Sequence, residues 1–193
     1  MDTPTMKIYI LDGGKSSRFG FPKKNIDING ENIICRILRQ VHEQRTEAYV
    51  LMRSGTVAGD SILRVILGLL HKDYNPMRNI FLFGDVVYSD RVMRDILHEK
   101  CTCVYGREAH NYYSGKHNPE RYALVVEDEK IEFIRGAIAS LIPYEYSQCL
   151  TLCLLKDTAR IKYVLTKDFT DDIDTPAEYD MFKERIIGKE FFR

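Results

Sequence analysis

The sequence has no apolar run that approaches the roughly 18 residues of a membrane span, and its 28 Lys and Arg are balanced by 28 Asp and Glu. The first absence argues against a helical membrane anchor. The second argues against a general nucleic-acid or membrane-surface binder, because both draw on a surplus of positive charge. The opening segment MDTPTMKIYIL carries one Lys before a short apolar run that stops at Asp12, so it has no secretory pattern and the expectation is a cytoplasmic protein. Cysteine is sparse and odd in number: five residues, with spacings Cys101-x-Cys103 and Cys149-x3-Cys153 that fit no zinc template. They read as free thiols of a reducing cytosol, mostly buried. No Ser-His-Asp or Cys-His nucleophilic set is present, and His42, His71 and His98 fall among charged residues of predicted helices and read as surface groups. No internal repeat or low-complexity linker interrupts the chain.

What is present is a chain of 193 residues, 45% hydrophobic and 29% charged, which fits one globular domain. Lys7–Leu11, Ala48–Met52 and Asn79–Phe83 read as buried strands. Between them, Ile33, Ile34, Ile37, Leu38 and Val41 form one face of a helix, and Ser61–Leu70 is apolar nearly all round, as in a deeply buried helix. Ser89 reads as the N-cap of a helix carrying Val92, Met93, Ile96 and Leu97. Further strands are expected at 101–105, 122–127 and 161–166, and a helix through Ile131, Ile134, Ile138 and Leu141. Thr175-Pro176-Ala177-Glu178 is a capping box that opens a last helix with Tyr179, Phe182 and Ile186 as its stripe. The early β-α-β-α-β alternation predicts an α/β fold: a three-layer αβα Rossmann-like arrangement on a mostly parallel sheet. Ligands of such sheets sit beyond the carboxyl ends of the strands, so the residues that follow strands carry the most information.

After the first strand comes DGGKSSRFGFPKK, residues 12–24, with three glycines, two serines and four cations. Glycines let backbone N–H groups converge on an anion, and Arg18, Lys23 and Lys24 can neutralise phosphate charge. This is not a Walker A loop, because Tyr9 stands where its first Gly would be, and the dinucleotide pattern GxGxxG is absent. Gly84-Asp85 ends the third strand, where a carboxylate can hold Mg²⁺ together with substrate phosphates. Asp171, Asp172 and Asp174 precede a helix N-terminus; one acid there complements the helix dipole, but three repel one another without a cation. The long polar stretch 106–121 offers Arg, Lys and Tyr to a phosphorylated or hydroxylated acceptor.

These motifs resemble those of the GT-A-fold nucleotidyltransferases, the MobA-like and sugar-phosphate nucleotidyltransferase superfamily. Residues 10–23, ILDGGKSSRFGFPK, are similar to its L-A-G-G-x-(G/S)-x-R-x-G…P-K signature, and DIDTPAEY, residues 172–179, to its D-I-(D/G/N)-T-P-E motif. The resemblance implies that Leu11, Asp12, Gly13, Gly14, Lys15, Ser16 and Ser17 form a loop around a nucleoside triphosphate, with Arg18 and Lys23 on its phosphates. It implies that Gly59, Asp60 and Ser61 approach the base, and that Asp85 with Asp172 or Asp174 holds Mg²⁺. It also suggests an acceptor side built from Arg107, Tyr113, Lys116, Glu120 and Arg121. The usual Ala of the first motif is Asp12 here, a carboxylate that repels a triphosphate unless a metal or a cation such as Lys15 or Arg18 meets it.

The reaction so implied moves a nucleoside monophosphate group, CTP being slightly preferred as donor, onto a small phosphorylated acceptor such as a sugar or polyol phosphate, with loss of pyrophosphate. No nucleic-acid or membrane partner is expected, and a homodimer is left open. Two other readings stand beside it: a GT-A glycosyltransferase using a nucleotide sugar, and a non-catalytic nucleotide-binding domain.

Overall fold

The computed structural model describes residues 6–12, 25–44, 48–54, 62–71, 78–108, 119–143 and 148–186. Along the chain run β1 (Met6–Asp12), β2 (Asp27–Ile28), β3 (Glu31–Asn32), α1 (Ile33–Glu43), β4 (Ala48–Ser54), α2 (Ile62–His71), β5 (Arg78–Phe83), β6 (Val86–Val87) and α3 (Asp90–His98). They are followed by β7 (Cys103–Arg107), β8 (Glu120–Val126), α4 (Ile131–Leu141), α5 (Gln148–Ala159), β9 (Lys162–Leu165), β10 (Asp171–Asp172) and α6 (Pro176–Ile186).

Six strands form the main sheet in the order β4-β1-β5-β8-β7-β9. β1 pairs in parallel with both β4 and β5, and β7 with β9. β8 is antiparallel to both its neighbours, so it alone is reversed. The expected mostly parallel αβα arrangement is therefore present, with one inverted strand inside it. Alternate residues of a strand point to opposite faces, and both faces are covered. Ile8, Ile10, Ile80 and Leu82 join Ile33, Ile37, Val92, Met93 and Phe182 in one core. Tyr9, Leu11 and Phe81 join Ile66, Ile134, Leu152 and Leu155 in the other. Thus α1, α3 and α6 cover one face, and α2, α4 and α5 the other. Strands buried on both faces read as continuous apolar runs, which is why KIYIL and NIFLF were recognisable.

Local signals set the helix ends. The Asn32 side chain accepts from the Cys35 N–H at 2.8 Å, and Ser89 Oγ accepts from the Val92 N–H at 3.0 Å. At α6, Thr175 Oγ1 accepts from the Glu178 N–H at 3.2 Å while Glu178 Oε2 accepts from the Thr175 N–H at 2.9 Å, the reciprocal pair of a capping box. Of the cysteines whose side chains are described, Cys103 is buried, but Cys35 and Cys101 are exposed. Cys35 sits on the outer face of α1 and Cys101 precedes β7, so these two depart from the expectation of buried thiols; the side chains of Cys149 and Cys153 lie outside the described residues.

Candidate active site

The carboxyl ends of β1, β5, β7 and β9 share one edge of the sheet, and the reversed β8 starts there. At this edge the chain turns sharply after β5. The Gly84 N–H donates to the Leu11 carbonyl at 3.1 Å. A Cβ on Gly84 would lie 3.1 Å from Ile34 Cδ1 and 3.3 Å from Ile10 Cγ2. The glycine thus lets the end of β5 lie against β1 and α1, and half-buried Asp85 is presented immediately after it.

Tyr88 fixes this turn. Its hydroxyl accepts from the Phe83 N–H at 3.0 Å and donates to the Tyr122 carbonyl at 2.6 Å. The β7–β8 register skips Tyr122, with Tyr105 opposite Ala123 and Gly106 opposite Arg121. Such a bulge frees backbone groups from the ladder, and the Tyr88 hydroxyl takes one of them up. The Tyr88 carbonyl in turn accepts from Gln40 Nε2 at 3.0 Å and from the buried Arg36 guanidinium at 3.4 Å. Complete burial pushes the Tyr88 phenol well above its usual range, so the hydroxyl keeps its proton and can donate.

The second acidic point reaches the same place through β10. β6 and β10 form a two-stranded antiparallel ladder, Asp171 opposite Val87 and Asp172 opposite Val86. Asp172 therefore stands across from the neighbour of Asp85, although the two are far apart in sequence. Side-chain bonds extend the ladder: Thr170 Oγ1 accepts from the Ser89 N–H at 2.9 Å, and Ser89 Oγ bonds Asp168. Burial alternates along this segment, with Asp171 and Ile173 buried and Asp172 and Asp174 half-exposed. Asp172 and Asp174 thus share the more open side. Their backbones are held by neighbouring carboxylates. Asp171 Oδ1 accepts from the Asp172 N–H at 3.0 Å, and Glu178 Oε2 accepts from the Asp174 N–H at 2.7 Å.

The acceptor-side candidates fall at the adjoining edge. Arg107 ends β7 and is 2% exposed; its Nε donates to Asp171 Oδ1 at 2.8 Å. Arg121, on β8, is 6% exposed, donates from Nη1 to the Arg107 carbonyl at 2.7 Å, and lies 4.0 Å over the Tyr163 ring. Glu120 is half-buried opposite Arg107. Both arginines are therefore inside the protein, on the paired strands β7 and β8. Leu11 is buried in the α2–α4–α5 core, and Asp12 closes β1 opposite Ser54. Gly13, Gly14, Lys15, Ser16, Ser17, Arg18, Lys23, Gly59, Asp60, Ser61, Tyr113 and Lys116 lie outside the described residues.

Asp85 with Asp172 or Asp174 is a set of hard oxygen donors at a strand-end edge. Two carboxylates are what Mg²⁺ commonly takes from protein when substrate phosphates and water complete its shell. Asp171 is not one of these donors: it is buried, and its Oδ1 accepts from Arg107. No cluster of three or more metal-ligating side chains occurs among the described residues. Asp85 with Asp172 or Asp174 would therefore need substrate or water oxygens to complete a cation's shell. A neighbouring cleft of about 370 Å³, between α3 and the end of β9, is lined by Arg91, Asp95, Lys167 and Asp168 and by none of the candidates above.

Sequence reasoning missed Tyr88 and the buried role of Asp171. The clue to Asp171 was the triple acid itself, which demanded a cation; Arg107 is a buried one.

No family model matches the sequence, and no curated protein sequence matches it. The fold, however, is shared with solved structures over nearly the whole chain. The inositol-1-phosphate CTP transferase from T. maritima is 8% identical with a TM-score of 0.61, covering 95% of this chain and 97% of its own. The CTP:phosphocholine cytidylyltransferase from Streptococcus pneumoniae is 11% identical with a TM-score of 0.59, covering 94% and 99%. The 4-diphosphocytidyl-2C-methyl-D-erythritol synthase from Anaerococcus prevotii is 9% identical with a TM-score of 0.58, covering 95% and 98%.

Proposed function

We propose that this chain, which has the fold of those nucleotidyltransferase structures, transfers a nucleoside monophosphate group from a nucleoside triphosphate to a small phosphorylated acceptor and releases pyrophosphate. The observation that carries the reading is the β6–β10 ladder, which sets Asp172 opposite Val86, beside Asp85, at the ligand edge of the sheet. Two partly open carboxylate segments held side by side at that edge would suit a divalent cation shared with phosphate.

In this reading the triphosphate lies along residues 11–18, with Arg18 and Lys23 on its phosphates and residues 59–61 near the base. Asp85 and Asp172 or Asp174 would hold Mg²⁺, which supplies charge neutralisation at the reacting phosphate. The acceptor phosphate is already nucleophilic at neutral pH, so no general base is required. The bond from its oxygen to the α-phosphorus forms as the α–β bridge bond breaks, and the electron pair leaves with pyrophosphate. The chain's own contribution is to hold the two reactants in line and to balance developing negative charge. Tyr113, Lys116 and Glu120 are the proposed acceptor contacts, and the buried Arg107 and Arg121 complete the acceptor side. CTP is the preferred donor, as the cytidylyl chemistry named for those three structures suggests, although another matching structure is named as a glucose-1-phosphate thymidylyltransferase. Asp12 is assigned to a cation of the loop or to the metal rather than to the phosphates.

The test is pyrophosphate release from CTP, UTP, GTP and ATP against a panel of sugar phosphates, polyol phosphates and phosphocholine. One donor–acceptor pair should release pyrophosphate only with Mg²⁺. Asp85→Ala should lower turnover about 10²-fold or more, as loss of an electrostatic stabiliser does. Near-normal turnover in that variant would remove Asp85 from the site. Hydrolysis of a nucleotide sugar without pyrophosphate chemistry would instead identify a glycosyltransferase.

A further inference from the structure

The buried ion pair between Arg107 and Asp171 joins two segments 64 residues apart, at 2.8 Å, with side chains 2% and 1% exposed. A pair so deeply buried is poor evidence of stabilisation, because desolvating both charges costs about what their attraction returns. Its position suggests a different purpose. The oxygen that accepts from Arg107 Nε, Asp171 Oδ1, also accepts from the N–H of Asp172. Arg107 is held in turn at the β7–β8 bulge. Its carbonyl accepts from Arg121 Nη1 at 2.7 Å, and its Nη1 donates to the Glu108 carbonyl at 3.2 Å. A rigid chain of bonds therefore runs from β8, through Arg121 and Arg107, to Asp171 and the peptide of Asp172. The opposite side of β10 is fixed by the ladder to β6.

We infer that Arg107 and Asp171 are positioning residues: the pair sets the backbone of Asp172 and so orients the metal carboxylates, without touching substrate. This rests on the reading of Asp85 and Asp172 or Asp174 as metal ligands. It gives Arg107 a role in placing a metal carboxylate rather than on the acceptor. It also explains why Asp171 is tolerated beside Asp172: its charge is met inside the protein, and only the outer carboxylates face the cation.

The decisive variant replaces both partners with apolar residues of similar size, Arg107→Met with Asp171→Leu, which leaves no unpaired buried charge. Such replacements are commonly neutral or stabilising, so a cooperative melt near that of the wild type is expected. Mn²⁺ binding is read by electron paramagnetic resonance in the presence of CTP, over a CTP-only blank, and metal-free CTP binding is read by calorimetry. Outer-shell groups typically contribute about 10- to 100-fold in metal affinity or turnover. The double variant should lose that much Mn²⁺ affinity while metal-free CTP affinity stays the same. Wild-type Mn²⁺ affinity in the folded double variant would overturn the inference alone. Absence of Mn²⁺ binding to the wild type itself would overturn the metal reading and this inference together. Should the double variant fail to fold, native-state hydrogen exchange of the wild type decides: the Asp172 amide should be protected like core-strand amides, and exchange at an exposed-loop rate would overturn the proposal.

Discussion

Gly106 offers the sharpest test of the geometry at the ligand edge. It lies where the β7–β8 register shifts, and a Cβ placed on it would fall 2.2 Å from the Glu120 carbonyl oxygen, 2.7 Å from Arg121 Cδ and 2.9 Å from the Tyr163 hydroxyl. The first of these is backbone, so it cannot swing aside as a side-chain tip can. Gly106→Ala therefore has to pry β7 from β8 by about 1 Å at the bulge. Overpacking of this kind costs roughly 1–3 kcal/mol in an adaptable core, occasionally more, and the rigid neighbour argues for about 3. In a domain of this size each kcal/mol moves Tm by roughly 2–4 °C, so Tm should fall about 6–12 °C. The control is Gly136→Ala. Gly136 lies in α4 with nothing within 4 Å of its would-be Cβ. There the same change should stabilise by about 0.5–1 kcal/mol, because alanine is the better helix former. Urea and thermal unfolding of the two variants should shift in opposite directions. A Gly106→Ala protein within about 0.5 kcal/mol of wild type would refute the bulge and the close approach of β8 on which the position of Arg107 depends.

Other consequences follow from single contacts. Tyr88→Phe keeps the ring but leaves the Phe83 N–H and the Tyr122 carbonyl without the bridging hydroxyl, so urea denaturation should show a loss of about 1–3 kcal/mol; an unchanged midpoint would mean the hydroxyl does not hold the turn before Asp85. Burial pushes the Cys103 thiol up to about 12, so peptide mapping after mild thiol labelling near pH 8 should find Cys35 and Cys101 modified and Cys103 untouched. At Glu99, burial raises the carboxyl pKa, but the Lys162 ammonium at 2.9 Å and the Lys100 and Cys101 N–H groups outweigh it and leave the pKa lowered. The folded value then lies below the unfolded one, so the pair's contribution is present above the unfolded carboxylate range and is lost as pH falls through the folded value. Lys162 is 54% exposed, which screens the pair to under about 1 kcal/mol; Lys162→Met should slightly flatten the acid limb of the stability–pH curve, and a steeper limb would contradict the assignment.

What could be read from the sequence was what local chemistry decides. β1 and β5 announced themselves because burial on both faces demands unbroken apolar runs. The starts of α3 and α6 were legible because Ser89 and the Thr175–Glu178 box satisfy N–H groups within a few residues of themselves. The reversal of β8 was not legible, since its direction depends on where the chain returns from 108–119 and not on its own pattern. Helix α5 was missed because apolar residues crowd 149–155 without a helical period, and the segment has the length of a strand. The β6–β10 ladder is two residues long on each side, too short for any periodic signal, yet it brings the acidic segments together. The sequence pointed to Asp85, Asp172 and Asp174 one by one; their shared edge, and the Arg107–Asp171 pair beneath it, exist only in three dimensions.

In the proposed function, the acidic edge and the glycine-rich segment together take a metal-bound triphosphate. Calorimetric titration of CTP, UTP, GTP and ATP, each with and without Mg²⁺, into the wild type and Asp85→Ala tests it directly. One triphosphate, CTP first, should bind selectively and Mg²⁺-dependently, and the variant should lose the Mg²⁺-dependent part. Failure of every triphosphate to bind, or equal binding with and without Mg²⁺ in both proteins, would contradict it.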